Sequence, residues 1–231
     1  MANELYKKLL VISIFSVAMA VLEGAVVVYL RELYYSGGFT VAFREMPPGV
    51  IYVELLRELA TLIMLLSIGW LAGQTKQARF AWFLYSFAVW DIFYYIWLKV
   101  FIDWPLSLLD WDILFLLPVT WLGPVLAPLI CSVTMIALSL LILLGESQYL
   151  NFRMTKTSWI LIIFGAIVIY ASFTKDYTIM ILQNGFYKDP GHILQNSSFI
   201  EMAKTFVPAT FSWILFLFGE LLILAGIKKG F

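Results

Sequence analysis

Apolar residues run along this chain in stretches as long as a membrane is thick. The hydrocarbon core is about 30 Å deep and a helix rises about 1.5 Å per residue, so a crossing takes about 20 mostly apolar residues. Stretches near 9–30, 50–71, 80–102, 122–144 and 207–227 meet that length, and one near 159–173 is shorter and extends into its flanks to span. The runs are continuous rather than alternating, which excludes barrel strands. Only helices then satisfy their own backbone polar groups in lipid. The expected fold class is all-α: a polytopic helical membrane protein with about six transmembrane helices, forming a single domain over residues 1–231 with no linker visible.

One segment does not fit a simple count. Asp112 to Leu144 is too long for one span and too short for two. Asp103-Trp104-Pro105 has the chemistry of a helix start, with Asp as cap and Pro in the first turn. Pro118, Gly123 and Pro124 then interrupt the apolar stretch. The pattern predicts a broken or interfacial helix over Pro105–Leu117, ahead of the fourth span. A broken helix at membrane depth lines a cavity, whereas an interfacial one is surface structure.

Composition agrees with a membrane setting. The chain is 62% hydrophobic and 13% charged with zero formal net charge, against about 45–50% and about 25% in soluble domains. It has no basic field for nucleic acid. The single cysteine, Cys131, and single histidine, His192, exclude an internal disulfide and argue against bis-histidine haem and zinc centres. No nucleotide-binding or nucleophile-elbow motif occurs, so the cofactor stays unknown, with a divalent cation among carboxylates left open. Lys7-Lys8 ahead of an apolar run and Ala18-Met19-Ala20 resemble a signal peptide, but the run continues to Leu30, and an uncleaved first helix is the expectation. Asn196-Ser197-Ser198 matches a glycosylation sequon.

Basic residues set orientation. Lys7, Lys8, Lys76, Arg79, Arg153, Lys156, Lys228 and Lys229 fall on one side of the spans and most acids outside the spans on the other. Both termini are therefore expected in the cytoplasm.

Ionisable residues inside the spans carry the functional expectation. At a helix centre each costs roughly 3 kcal/mol, so Glu23, Glu54, Arg57, Glu58 and Asp91 left alone would cost on the order of 15 kcal/mol, as much as a domain's whole stability. They must meet one another or water. With this orientation they fall in the outer half of the bilayer. Arg31 lies at the outer end of the first span, Tyr94, Tyr95 and Lys99 come after Asp91 along the third, and Asp112 precedes the fourth. The ten residues predict an outward-facing polar pocket. Arg31 and Arg57 suit a carboxylate or phosphate, and clustered carboxylates suit proton exchange or a hard cation. Glu220 stands apart in the last span, with a packing role expected.

Trp90-Asp91-Ile92-Phe93-Tyr94-Tyr95 and Trp111-Asp112-Ile113-Leu114-Phe115, with Tyr29-Leu30-Arg31 and Gly37-Gly38-Phe39, resemble strings in uncharacterised bacterial multi-pass membrane proteins. The resemblance implies a bacterial inner membrane and brings no activity, catalytic residue or cofactor. The residues are compatible with three functions. The first is binding of a small anionic ligand or lipid head group in the pocket, with or without transport. The second is a membrane-embedded enzyme acting on lipid, with Asp91 or Glu58 as base. The third is a non-catalytic subunit or assembly factor whose ion pairs are architectural. The partners expected are the lipid bilayer, a lipid or small anion, and a membrane-protein partner or second copy.

Overall fold

The computed structural model describes residues 2–35, 46–149, 152–189, 193, 196–206, 208 and 210–231. His192, Arg44, Glu45 and Gly37-Gly38-Phe39 lie outside the described residues. The chain is helical: α1 (Ala2–Tyr34), α2 (Pro48–Ala72) and α3 (Lys76–Ile102) precede a hairpin of β1 (Trp111–Phe115) and β2 (Trp121–Pro124). After it come α4 (Leu126–Gln148), α5 (Lys156–Gln183), the short α6 (Ser197–Thr205) and α7 (Trp213–Gly230). The helices α1 to α5 are each long and apolar enough to cross a membrane; α7 has 18 residues and includes Glu220, Lys228 and Lys229.

Helix ends reflect local chemistry. Thr75 caps α3 by accepting from Ala78 N–H at 3.0 Å, and Thr155 caps α5 by accepting from Ser158 N–H at 3.2 Å; each satisfies an orphan donor of a first turn. Asn196 caps α6 through Ser198 and Phe199 N–H, which gives the sequon asparagine a structural role. α5 is longer than its apolar run, carrying Lys175 and Asp176 within its last turns. α7 begins at Trp213, later than residue 207 where the apolar run starts.

α3 is the centre of one group, packed against α1, α2 and α4, while α5 and α7 pair with each other. The α5–α7 seam is built on small residues. A Cβ at Gly165 would lie 2.6 Å from the Gly219 carbonyl oxygen, and one at Gly219 would lie 2.8 Å from that of Gly165. Small residues let two backbones approach in lipid, where no hydrophobic effect drives helices together.

The hairpin corrects two expectations. Pro105–Leu117 is not a helix, broken or interfacial. Asp110 closes a turn by accepting from Leu106 N–H at 2.7 Å and Ser107 N–H at 3.0 Å, and Trp111–Phe115 pairs antiparallel with Trp121–Pro124, with an irregularity between Ile113 and Phe115. The pairing satisfies the backbone of an apolar segment that has too little length to span. Asp103 is likewise not a helix start. It ends α3 in the left-handed region at φ 53°, its N–H donating to the Lys99 carbonyl. The expected fourth span therefore starts at Leu126, because residues 122–124 belong to β2.

The hairpin sits on the helix bundle. Phe115 stacks on Phe87 of α3 with centroids 6.2 Å apart, and Trp121 meets Tyr170 of α5 at 5.0 Å and Phe173 at 6.1 Å. Phe115 and Trp121 touch at 5.6 Å. Aromatic rings thus run without a break from α3 through the hairpin to α5.

Candidate functional site

Under the hairpin lies a cavity of about 420 Å³, reached by all of α1 to α5 and α7, within the range of about 300–1,000 Å³ usual for small-ligand sites. Nine of the ten residues singled out from the sequence line it. They form separate polar centres rather than a single charge cluster.

The first centre joins α1 to α2. The Arg57 guanidinium donates to the carboxylates of Glu23 and Glu54, and the Glu54 contact includes Arg57 Nε at 2.9 Å. Thr61 Oγ1 donates to Glu23 at 3.3 Å. Glu54, Arg57 and Thr61 recur at helical spacing on α2 and so share a face.

The second centre ties α1 and α3 to the hairpin. Arg31 Nη2 lies 3.4 Å from Asp112 Oδ1, and Tyr95 donates its phenol to Asp112 Oδ2 at 3.2 Å. The guanidinium also lies 3.8 Å from the ring centroid of Trp104, a cation–π contact. Asp112 is 2% exposed, and that burial pushes its carboxyl up to about 6 although Arg31 and Tyr95 oppose the shift. Desolvation outweighs the ion pair here, because the charged form loses more water than one guanidinium at 3.4 Å returns.

Glu58 performs a third task. Both its carboxylate oxygens accept from Leu116 N–H, at 3.0 and 3.1 Å, so α2 holds the hairpin where its strand pairing gives out. Asp91 accepts from Ser132 of α4 at 2.7 Å. Tyr94 stacks along Trp90 and meets Tyr95 edge-on. Lys99 does not join them. It is exposed, pairs with the Asp103 carboxylate at 2.7 Å and donates to the carbonyls of Asp103 and Pro105.

Three contributors carry no signal in the sequence. Ser132, Thr61 and Trp104 supply a donor, a second donor and a ring face, and such residues are compatible with any span or interface. Glu220 lines the same cavity, contrary to its expected isolation. Its Oε2 accepts from Thr134 of α4 at 2.9 Å, and the Cys131 thiol lies beside it. Among the described residues no group of three His, Cys, Asp or Glu side chains converges as a metal site.

By helix length and composition this is a multi-pass helical membrane protein. No protein-family model, no curated protein and no solved structure matches the chain. Function is therefore a question for the chemistry of the site itself.

Proposed function

We propose that this protein binds an amphiphile, a lipid or lipid-like molecule, in the cavity between its helices. The observation that supports this reading is the grading of the cavity lining from one end to the other. Toward the hairpin it presents Arg31, Asp112, Arg57 and Glu54, and toward the opposite end of the bundle Phe80, Leu84, Leu138 and Ile162. A head group has polar partners at one end and a chain has apolar ones at the other, the arrangement expected of small-molecule sites. On this reading the protein belongs to a bacterial inner membrane, with six spans, α7 included, both termini in the cytoplasm and the hairpin outside.

A second reading has its own support. Both guanidiniums already face carboxylates inside the protein, as in an architectural role within a larger complex. Ligand retention separates the two. Native mass spectrometry of protein extracted in mild detergent is expected to show one lipid-sized adduct per chain. Ala166 is exposed and lines the cavity, so Ala166→Trp fills the space and is expected to lower adduct occupancy at least fivefold. An adduct retained equally by the variant, or none on the parent protein, overturns the amphiphile reading. A fixed stoichiometric protein partner would then favour the architectural one.

A further inference from the structure

The charge balance of the cavity is uneven. Six carboxylates and two guanidiniums line it. Arg57 is engaged by Glu23 and Glu54, and Arg31 by Asp112. Glu58 holds the hairpin backbone. Asp91 and Glu220 remain, on α3 and α7, and each is bonded to a hydroxyl of the helix between them: Asp91 to Ser132 and Glu220 to Thr134. The acid surplus is thus on the α3–α4–α7 wall, and the basic residues are on the α1–α2 wall.

A carboxylate oxygen on the acidic wall, and an indole nitrogen of a side chain that packs toward α1 and α2, have no hydrogen-bond partner among the described residues. One is Glu220 Oε1 and the other Trp90 Nε1. Both residues line the cavity and each is 5% exposed. A buried polar group without a partner forfeits its hydration for nothing, so native proteins rarely leave one without a reason. An acceptor on an anionic side chain calls for a donor, best a positive one. An indole N–H calls for an oxygen. Trp90, Trp121 and Tyr170 also line the cavity, and they are of the residue types that attract ammonium groups.

We infer that the Asp91–Glu220 wall is a subsite for the ammonium head of the bound amphiphile, with Glu220 and Asp91 as its counter-charges and Trp90 Nε1 donating to an oxygen near the amine. The inference rests on the amphiphile reading and moves its head group from the Arg31–Arg57 end to the Asp91–Glu220 wall. It also revises the sequence-based expectation of an anion: both guanidiniums that would hold one already face carboxylates, and the charge in excess along the cavity is acidic.

The test uses the full chain in phosphatidylcholine nanodiscs, with empty nanodiscs as the partition control. Octylammonium, 1-octanol and octyl phosphate are titrated against tryptophan fluorescence. The three share a chain and differ in head charge. Octylammonium is expected to bind at least tenfold tighter than 1-octanol, with octyl phosphate weakest. Glu220→Gln and Asp91→Asn are each expected to reduce the ammonium-over-octanol preference at least fivefold. Equal affinity for the three probes overturns the ammonium subsite and leaves the amphiphile reading standing. No binding by any of them overturns both. A preference that survives in both variants overturns the residue assignment, and the comparison of probes on the unmodified chain holds even where a variant fails to fold. Phosphatidylethanolamine in the nanodisc distinguishes the source. Competition with octylammonium supports a lipid head group as the natural ligand, and its absence supports a free lipophilic amine.

Discussion

Asp112 sits in the hairpin, 2% exposed, between the Arg31 guanidinium and the Tyr95 phenol, with its carboxyl raised from 3.8 to about 6 by burial. The unfolded chain releases this proton near pH 4, whereas the folded chain holds it until about pH 6. Between those values the native state binds more protons, so stability declines as pH rises. The contribution is complete below about pH 4 and is lost through about pH 6, on the order of 3 kcal/mol in total. Asp112→Asn removes the titration, keeps an oxygen for Arg31 and turns an amide N–H toward the Tyr95 phenol oxygen, which can accept. Melting temperatures of the parent and variant from pH 4 to 7 are expected to diverge, the parent falling relative to the variant as pH rises. Parallel curves would mean that Asp112 does not change charge in that window. Arg57 presents a different balance. Two carboxylates satisfy its fork on one face of α2 and the facing turn of α1, so its ion pairs fix helix order as well as charge.

At the scale of elements, the α5–α7 seam and the hairpin depend on contacts of different kinds. The seam needs the absence of side chains. A Cβ at Gly219 would lie 2.7 Å from Ile169 Cγ1 and 2.8 Å from the Gly165 carbonyl oxygen. Gly219→Leu therefore forces the helices apart, at an overpacking cost of about 1–3 kcal/mol or more. A melting temperature unchanged in nanodiscs would show that the close approach is not needed. Long helices are legible in the sequence because a continuous apolar run of about 20 residues has few other solutions in lipid. The hairpin is not. Trp111-Asp112-Ile113-Leu114-Phe115 is a short, mostly apolar run, and periodicity does not separate a buried strand from a helix segment at that length. Its deciding partners are remote in sequence: Trp121–Pro124 across the ladder and Glu58 on α2. Charges within apolar runs point to the cavity, since Glu23, Arg57 and Asp91 have to find partners. Hydroxyls such as Ser132 and Thr134 give no such signal. Lys99 departs from the expected group for a geometric reason. Eight positions beyond Asp91 a helix has turned about 80° away from it, and a lysine in the last turn is drawn to the helix-end carbonyls.

The molecule as a whole has two chemically different ends, which bear on its orientation in the membrane. At one end lie the start of α1, the α2–α3 turn, the α4–α5 turn and the end of α7. Lys8 Nζ donates to the Ala72 carbonyl there, and Phe152 stacks on Phe231 at 5.1 Å. That end carries the paired basic residues Lys7 and Lys8, Lys76 and Arg79, Arg153 and Lys156, and Lys228 and Lys229. The other end carries the hairpin with Asp103, Asp110 and Asp112. Short loops rich in Lys and Arg stay in the cytoplasm, so the basic end is expected to face inward and the hairpin outward. The sole cysteine is Cys131, and a Cys131→Ser background permits single reporters. Gln74 and Ser107 are exposed at opposite ends, and Phe231 reports on the end of α7. Expressed in a bacterial inner membrane, Ser107→Cys is expected to react with a membrane-impermeant maleimide in intact spheroplasts. Gln74→Cys and Phe231→Cys should react only after permeabilisation. The reverse pattern would invert the protein and put the hairpin end of the cavity in the cytoplasm. A Phe231 reporter labelled together with Ser107 would show that α7 does not cross, and Glu220 would then lose the hydrocarbon setting that makes a carboxylate without a counter-charge informative.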